Sequence, residues 1–174
     1  KDRAEYTTLF YCEVEGSPEK MMAIPQEWVE ELATQNPETL FVVEGDGSVG
    51  KSLKGHLPSE PVIPSRSSLV IAVIGIDAVG AQISSQYVHR PERICELLKV
   101  EPKSLSTIEM ITKLLFHPQG YFHNCSSHQV IVPFINKVES ASQQQQAEEL
   151  AHQILAVKHP QVGGVIVGSM RKEE

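Results

Sequence analysis

The sequence predicts an α/β protein in which three layers form around a mostly parallel sheet. Three apolar segments, at 40–43, 69–74 and 130–135, show no regular alternation with polar residues, which is typical of strands that are covered on both faces. Segments with a helical spacing of apolar residues separate them. Because parallel strands are usually joined by helical crossovers, this alternation indicates a parallel sheet.

The N-terminal part of the chain carries one predicted helix between two predicted strands. Residues 6–14 are rich in aromatic and β-branched side chains, as strands are. A helix is expected to open at Pro25, because a proline in the first helical turn lacks only an N–H that has no acceptor within the helix. The helix ends before Pro37, and the strand at 40–43 follows it.

A long loop is predicted from residue 45 to residue 68. Its three prolines exclude a helix, and loops of this length are usually functional. The strand at 69–74 comes next. Two helices are then expected within about 90–117, the first opening at Pro91 and the second capped by residue 106 or 107.

The C-terminal part continues the alternation of strands and helices. Pro133 interrupts the strand at 130–135, which indicates a bulge or an edge position. A helix at 140–157 and a short strand at 164–167 complete the pattern. We expect one domain over 1–174, with a helical insertion around 90–117. Since the chain begins with Lys rather than Met, we expect that an upstream segment of the protein is missing from it.

The composition limits the classes of partner. The chain of 174 residues has a net charge of −7 and a pI near 5.5. An acidic surface repels phosphate backbones, so we expect no nucleic acid partner. Three cysteines stand far apart without a CxxC pair, which indicates reduced thiols and a cytoplasmic location. No apolar run approaches the ~20 residues of a membrane span, and we expect neither a membrane partner nor a signal peptide.

Residues 45–52 match the phosphate-loop pattern GxxxxGK[ST] letter for letter. A working phosphate loop opens directly into a helix, whose free N–H groups hold the phosphates. Gly55 and Pro58 would break the first turn of such a helix. We therefore interpret the segment as a glycine-rich loop that matches by chance. Lys51 and Lys54 remain candidates for contact with phosphate.

Glu44 and Asp46 follow the strand predicted at 40–43. A carboxylate at the end of a strand can bind hydrated Mg²⁺ or orient a water molecule. Both residues are therefore candidate catalytic groups and candidate ligands of Mg²⁺. The alternative is an acidic turn that ends the strand, since Asp-Gly is a common turn dipeptide.

Asn136, Lys137 and Glu139 follow the strand predicted at 130–135. This tip resembles the guanine-reading motif of GTPases, in which Asn bonds the base, Lys packs along the ring and Asp takes two guanine protons. Glu139 stands where those proteins have Asp. Ser169 follows the last predicted strand, in the position of a second base-contacting loop. The alternative is an ordinary polar loop between a strand and a helix.

Four residues of types that bind zinc lie within 117–128. They are His117, His123, Cys125 and His128. Their spacing is irregular, and no two histidines lie one turn apart in a predicted helix. We therefore interpret these histidines as surface residues.

Several short motifs together resemble one protein family. They are Glu-Gly-Asp-Gly-Ser at 44–48, Leu-Lys at 53–54, Glu-Pro-Val-Ile-Pro at 60–64, Val-His-Arg-Pro-Glu at 88–92 and Asn-Lys at 136–137. The set resembles the YqeC family, whose pattern reads Glu-Ala-Asp-Gly-[Ala/Ser], Pro-Leu-Lys and His-Glu-Pro-Val-Ile-Pro. Gly45 replaces the family's alanine. The family also carries a glycine-rich phosphate loop near its N terminus, and no such segment precedes Tyr6 here. The resemblance therefore implies either a C-terminal fragment of a larger nucleotide-binding domain or a degenerate member of the family.

The resemblance implies a P-loop-type α/β fold, similar to that of P-loop NTPases. It also implies a nucleotide-linked role in the maturation of selenium-dependent molybdenum hydroxylases. Within the motifs, Glu60, His89 and Arg90 are expected to belong to a loop that contacts a partner or a cofactor.

From the residues and the resemblance together we expect a nucleotide-binding accessory protein. Its expected ligands are Mg²⁺ and a purine nucleotide, and its expected partner is a molybdenum hydroxylase or the cofactor of that enzyme. A second hypothesis is a non-catalytic chaperone or binding module that contacts a partner enzyme or a phosphorylated cofactor through the basic loop 51–64. A third is a transferase acting on a nucleotide-activated cofactor, with Asp46 as acid or base.

Overall fold

The computed structural model of the chain describes residues 14–15, 20–21 and 23–170. The chain divides into two compact units, Lys1–Val43 and Glu44–Glu174. Most of the strand predicted at 6–14 lies outside the described residues. The single domain predicted over 1–174 stays a prediction.

In the part of the first unit that the structure describes, there are a short antiparallel strand pair and one helix. β1 (Val14–Glu15) pairs with β2 (Lys20–Met21), and α1 runs over Gln26–Gln35. Pro25 is the N-cap of α1, one residue before the helix begins. Asn36 ends the helix with a side-chain hydrogen bond of 2.9 Å to a backbone carbonyl. The helix predicted in this part of the chain is therefore confirmed.

The strand predicted at 40–43 is wrong. The segment is irregular, and the side chains of Leu40 and Val42 are 88% and 89% exposed. Apolar and β-branched residues become a strand only when a neighbouring strand takes their backbone hydrogen bonds. No strand among the described residues pairs with 40–43, so the pattern in the sequence is not realised as structure there.

Two parallel sheets organise the second unit. β3 (Leu53–Lys54) pairs with β5 (Val88–His89). β4 (Leu69–Gly75), β6 (Val130–Asn136) and β7 (Ile166–Val167) form the larger sheet in the order β4-β6-β7. All three pairings are parallel. The predicted α/β class with parallel strands is confirmed.

Among the described residues of the second unit, three α-helices follow the predicted order. They are α2 (Pro91–Leu98), α3 (Ile108–Phe116) and α4 (Ala141–Ala156). The hydroxyl oxygens of Thr107 and Ser140 each accept a hydrogen bond of 3.2 Å from a backbone N–H three residues later. These caps satisfy N–H groups that have no acceptor within the helix. The helix predicted after residue 106 or 107 and the helix predicted at 140–157 are both confirmed.

Pro133 lies inside the central strand β6, so the predicted bulge or edge position is wrong. The pairing of β4 with β6 runs without interruption through Ala72 and Pro133. Ile131 and Ile135 make backbone hydrogen bonds to the chain on the β7 side, and the nitrogen of Pro133 faces the same side because alternate residues of a strand do so. β7 begins opposite Phe134, so the missing N–H interrupts no bond that β7 needs.

The core lies on one face of the larger sheet. Ala72, Ile74 and Ile135 are buried there and belong to one cluster with residues of α3 and α4. On the opposite face Leu69, Ile71 and Val73 are 50%, 52% and 51% exposed. The prediction that both faces of this strand are covered is therefore wrong for the described residues. A fully apolar strand needs a second layer to bury both faces, and the described helices of the second unit cover one.

The loop predicted at 45–68 contains no helix, but it does contain β3. Within the part of the chain that the structure describes, no helix has both the length and the hydrophobicity that crossing a bilayer requires. The site residues expected from the sequence lie around β3 and around the ends of β4 and β6.

Candidate functional site

The glycine-rich segment 45–52 runs into a strand and not into a helix. After Ser52 the chain enters β3, so the segment does not lead into a helix whose N terminus would bind phosphate. This agrees with the interpretation that the segment is not a working phosphate loop. Lys51 donates a hydrogen bond of 3.3 Å to the carbonyl oxygen of Gln86. Ser52 is only 4% exposed.

Five ionisable side chains around β3 form what we call the ion-pair cluster. They are Asp46, Lys54, His56, Glu60 and Arg90. Lys54 lies at the centre, with its side chain 5% exposed. Its ammonium group donates to Asp46 Oδ1 and, at 2.8 Å, to the carbonyl oxygen of Gly47. It also lies 3.3 Å from Glu60 Oε1. The charge of Lys54 is therefore directed into the cluster.

Glu60 and Arg90 form a two-pronged ion pair. The guanidinium nitrogens of Arg90 donate to the two carboxylate oxygens of Glu60 at 2.6 and 3.1 Å, and the backbone N–H of Leu57 donates to Oε2 at 3.0 Å. Burial by itself raises the pKa of Glu60, but the bonds from Arg90 and Leu57 and the charges of Lys54 and Arg90 outweigh it and lower the pKa to about 2. The carboxylate is thus held in its charged form.

His56 is the buried imidazole of the ion-pair cluster. Its Nε2 lies 2.9 Å from Asp46 Oδ2, and its ring packs edge-on against Tyr121 at a centroid distance of 4.6 Å. The Tyr121 hydroxyl accepts a hydrogen bond of 2.9 Å from the backbone N–H of Lys54. Burial raises the pKa of Tyr121 well above its ordinary value. This phenol remains neutral and serves to position β3.

Side chains that follow α3 hold the proline-rich loop. Asn124 and Gln129 donate hydrogen bonds of 3.2 Å to the carbonyl oxygens of Pro61 and Pro64. A ring nitrogen of His123 lies 3.0 Å from a third carbonyl of the loop. His123 therefore contacts the loop that carries Glu60, which gives this histidine a role in packing.

A second group of polar side chains forms what we call the strand-end site. It consists of Ser52, Asp77, Asn136 and Lys137. Lys137 Nζ donates to Ser52 Oγ at 2.7 Å and to Asp77 Oδ2 at 3.1 Å. Gly75 and Asn136 are the last pair of the β4–β6 ladder, so the group lies at the carboxyl ends of two parallel strands. The side chains of Lys137 and Asp77 are 38% and 30% exposed, so solvent reaches them.

The strand-end site is closely packed at Gly75. A Cβ at this position would lie 2.5 Å from Asp77 Oδ1 and 2.7 Å from Ser52 Oγ, which is closer than such atoms can approach. The backbone N–H of Gly75 donates to the carbonyl oxygen of Ser52 at 2.9 Å. Asp77 Oδ1 is buried and has no hydrogen-bond partner among the described residues. A buried carboxylate oxygen without a partner is uncommon.

Asn136 joins the ends of β6 and β7. Its side-chain oxygen accepts hydrogen bonds from the backbone N–H groups of Lys137 at 2.8 Å and of Met170 at 3.0 Å. The N–H of Val138 bonds the carbonyl oxygen of Gly168 at 3.2 Å. Lys137 takes a left-handed backbone conformation with φ 65°, which is uncommon for a residue other than glycine. The end of β6 at Asn136 and the loop that contains Ser169 are thus adjacent.

The residues predicted from the sequence fall into separate places. Asn136 and Lys137 belong to the strand-end site, and the exposed side chain of Glu139 and the exposed Ser169 lie on the adjoining loops. Asp46, Lys54, Glu60 and Arg90 are brought together, but in the ion-pair cluster, where they contact one another. The structure therefore splits the predicted phosphate and metal residues between two groups.

Two further predicted residues flank the ion-pair cluster. Glu44 is exposed and stands two positions before Asp46. His89 pairs with Lys54 across the β3–β5 ladder, and burial together with the nearby charges of Arg90 and Lys54 lowers its pKa. His89 is thus part of the wall of the cluster. Among the residues that the structure describes, no group of three or more His, Cys, Asp or Glu side chains is arranged to hold a metal ion.

Sequence reasoning missed four residues: Ser52 as a site hydroxyl, Asp77, His56 and Tyr121. Asp77 carried a usable signal, because it follows the apolar strand 69–74 by three positions, as strand-end carboxylates do. Tyr121 carried none, since it is far in the sequence from the lysine that it contacts.

Comparisons with known proteins give one family. The model of the YqeC protein family matches residues 1–92. A protein of Escherichia coli (strain K12) named "Uncharacterized protein YqeC" is 36% identical over 104 residues. That match covers 59% of this chain and 41% of the length of the relative, so the matched part is less than half of the relative. No solved structure matches the chain.

Proposed function

This chain belongs to the YqeC family, and from that premise we propose that it binds a nucleotide together with Mg²⁺ at the strand-end site. One observation carries the proposal. An ammonium, a hydroxyl and a carboxylate, those of Lys137, Ser52 and Asp77, meet at the carboxyl ends of parallel strands β4 and β6. In open α/β sheets, ligands bind outside this edge.

The side chains at the strand-end site suit the two halves of a nucleotide. The ammonium group of Lys137 is partly exposed and is the kind of group that contacts phosphate. The amide oxygen of Asn136 accepts from two backbone N–H groups, and in this proposal the amide nitrogen donates to the base. In this proposal Glu139 and Ser169 border the base, and a purine is the expected ligand.

The proposed role is that of an accessory protein in the maturation of selenium-dependent molybdenum hydroxylases, with a P-loop-type sheet at its centre. The family resemblance supports this role, and the parallel strand order is compatible with such a sheet. A molybdenum hydroxylase or its cofactor is the proposed partner, and the cytoplasm is the proposed location.

The geometry gives less support to the two other hypotheses. A binding module that used Lys54 would need its ammonium group at the surface, but that group is buried and contacts Asp46 and Glu60. A transferase that used Asp46 as acid or base would need this carboxyl group to reach a substrate. Its oxygens contact Lys54 and His56 instead.

The proposal is tested by thermal unfolding of the protein with millimolar GTP, ATP or CTP in the presence of Mg²⁺. A bound nucleotide stabilises the folded protein by mass action, so the melting temperature rises with ligand concentration. Lys137→Met should reduce this rise, whereas the matched control Lys113→Met, at an exposed position of α3, should leave it unchanged. No rise with any of the three nucleotides, or an equal rise in Lys137→Met, would contradict the proposal.

A further inference from the structure

The carboxylates that the sequence offers as Mg²⁺ ligands do not suit a cation in this structure. Asp46 Oδ1 accepts from the Lys54 ammonium, and Asp46 Oδ2 lies 2.9 Å from His56 Nε2. A divalent cation bound to Asp46 would lie within a few ångströms of the buried positive charge of Lys54, and like charges at such distances repel strongly where water is excluded. Glu44 is exposed, and among the described residues it belongs to no group of three or more His, Cys, Asp or Glu side chains that could hold a metal ion.

We propose that the divalent cation binds instead to the oxygens of Asp77 and Ser52, in competition with the ammonium group of Lys137. This inference rests on the proposed function for its nucleotide, but the cation site itself follows from the contacts at the strand end. Lys137 Nζ already lies 2.7 Å from Ser52 Oγ and 3.1 Å from Asp77 Oδ2. Two oxygens that hold one positive charge at these distances form a place that favours cations.

Two further observations support a cation at this position. Asp77 Oδ1 is buried, and no group among the described residues donates a hydrogen bond to it. Gly75 also lets Asp77 and Ser52 approach one another, since a Cβ there would lie within 2.7 Å of an oxygen of each. Mg²⁺ typically binds through one or two protein oxygens, keeps several waters and takes the remaining ligands from phosphates. The carboxylate of Asp77 and the hydroxyl of Ser52 would supply these two protein oxygens.

The competition gives Lys137 two positions with different partners. Its side chain is 38% exposed and has four flexible methylene groups, so its ammonium can leave Asp77 for a nearby phosphate. A cation on Asp77 and Ser52 then replaces the charge that the lysine provided. In this arrangement the nucleotide phosphate and the cation arrive together, because the phosphate takes the lysine and also supplies ligands to the metal.

The cation site is tested first without nucleotide, by titrating the protein with Mn²⁺ and following the free ion by electron paramagnetic resonance. Lys137→Met removes the competing ammonium group, so Mn²⁺ should bind about tenfold more tightly than in the unchanged protein. Adding Asp77→Asn to Lys137→Met should abolish this binding, Asp77→Glu should restore part of it, and Ser52→Ala should weaken it. The variants' circular dichroism and melting temperatures establish that they are folded. Equal Mn²⁺ affinity with and without Lys137, or retention of the site in the doubly substituted protein, would overturn the inference.

A second titration includes nucleotide and separates this inference from the proposed function. Asp77→Asn should abolish the Mn²⁺ dependence of nucleotide binding, whereas Glu44→Gln, at an exposed carboxylate, should leave it unchanged. The reverse result would overturn the assignment to Asp77 while leaving nucleotide binding in place. If no nucleotide binds, the proposed function fails, and the nucleotide-free titration of Lys137→Met still decides whether Asp77 and Ser52 bind a cation.

Discussion

Glu60→Gln is a direct test of the ion-pair cluster. The substitution keeps the shape of the side chain but removes its negative charge. Arg90 contacts that charge through two nitrogens at 2.6 and 3.1 Å, and Lys54 faces it at 3.3 Å. The glutamine amide nitrogen is a donor, so it would also face another donor in place of one of these contacts.

The expected loss of stability follows from these contacts and from their exposure. Breaking a buried ion pair from one side costs about 3–5 kcal/mol, and a hydrogen bond to a charged group contributes roughly 1.5–3 kcal/mol. The side chains of Glu60 and Arg90 are 19% and 27% exposed, so water can partly solvate the guanidinium group that is left. Lys54 also keeps Asp46. We therefore expect Glu60→Gln to lower the free energy of unfolding by about 2–3 kcal/mol and the melting temperature by roughly 4–12 °C.

Urea unfolding followed by circular dichroism measures this loss. Glu101→Gln is the matched control, because Glu101 is exposed, and substitutions of that kind usually change stability by less than about 0.5 kcal/mol. If the two variants unfold at the same urea concentration, the ion-pair cluster does not stabilise the fold and the reasoning is refuted.

Acid pH tests the ion-pair cluster further, and a substitution at Gly75 tests the packing of the strand-end site. Because the pKa of Glu60 is lowered from 4.5 to about 2, the contribution of its charge to stability is complete above about pH 4.5 and is lost as the pH falls toward 2. When the free energy of unfolding is measured at decreasing pH, this group should account for a loss of about 1–2 kcal/mol after screening by solvent. The variant Glu60→Gln should lack this loss. Gly75→Ala should cost about 1–3 kcal/mol, because its Cβ would crowd Asp77 and Ser52, whereas Gly164→Ala, with nothing within 4 Å of the added atom, should be nearly neutral in the same urea assay.

The helices of the second unit were predictable because each carries its boundary in the local sequence. Pro91 stands at the first position of α2, and Thr107 and Ser140 cap α3 and α4 with their hydroxyl groups. These signals act over three or four residues, so the sequence alone displays them. The strands β4 and β6 were also predictable, since both are apolar over their length.

What was not predictable depends on partners that are distant in the sequence. The segment 40–43 has the composition of a strand but no described strand beside it, and Pro133 is tolerated in the centre of the sheet because of where β7 begins. Lys54 has the composition of a phosphate contact. In the structure it is buried and lies 3.3 Å from Glu60, which in turn pairs with Arg90, 30 positions further along the chain. No local pattern reveals these two contacts.

The strand-end site and the ion-pair cluster are linked through β3, and this link suggests what the family motifs contribute to the structure. Ser52, at one end of a buried run, belongs to the strand-end site, while Lys54 and His56, further along the same run, belong to the ion-pair cluster. The cluster pairs its own charges internally, so its contribution is to hold β3 against β5. Since Ser52 is also tied to Gly75 by a backbone bond of 2.9 Å, a firmly held β3 places the Ser52 hydroxyl at the strand-end site. The Glu-Pro-Val-Ile-Pro segment, which begins with Glu60, therefore affects the proposed ligand site by fixing the position of Ser52. Glu60→Gln should weaken nucleotide binding although Glu60 itself does not contact the ligand.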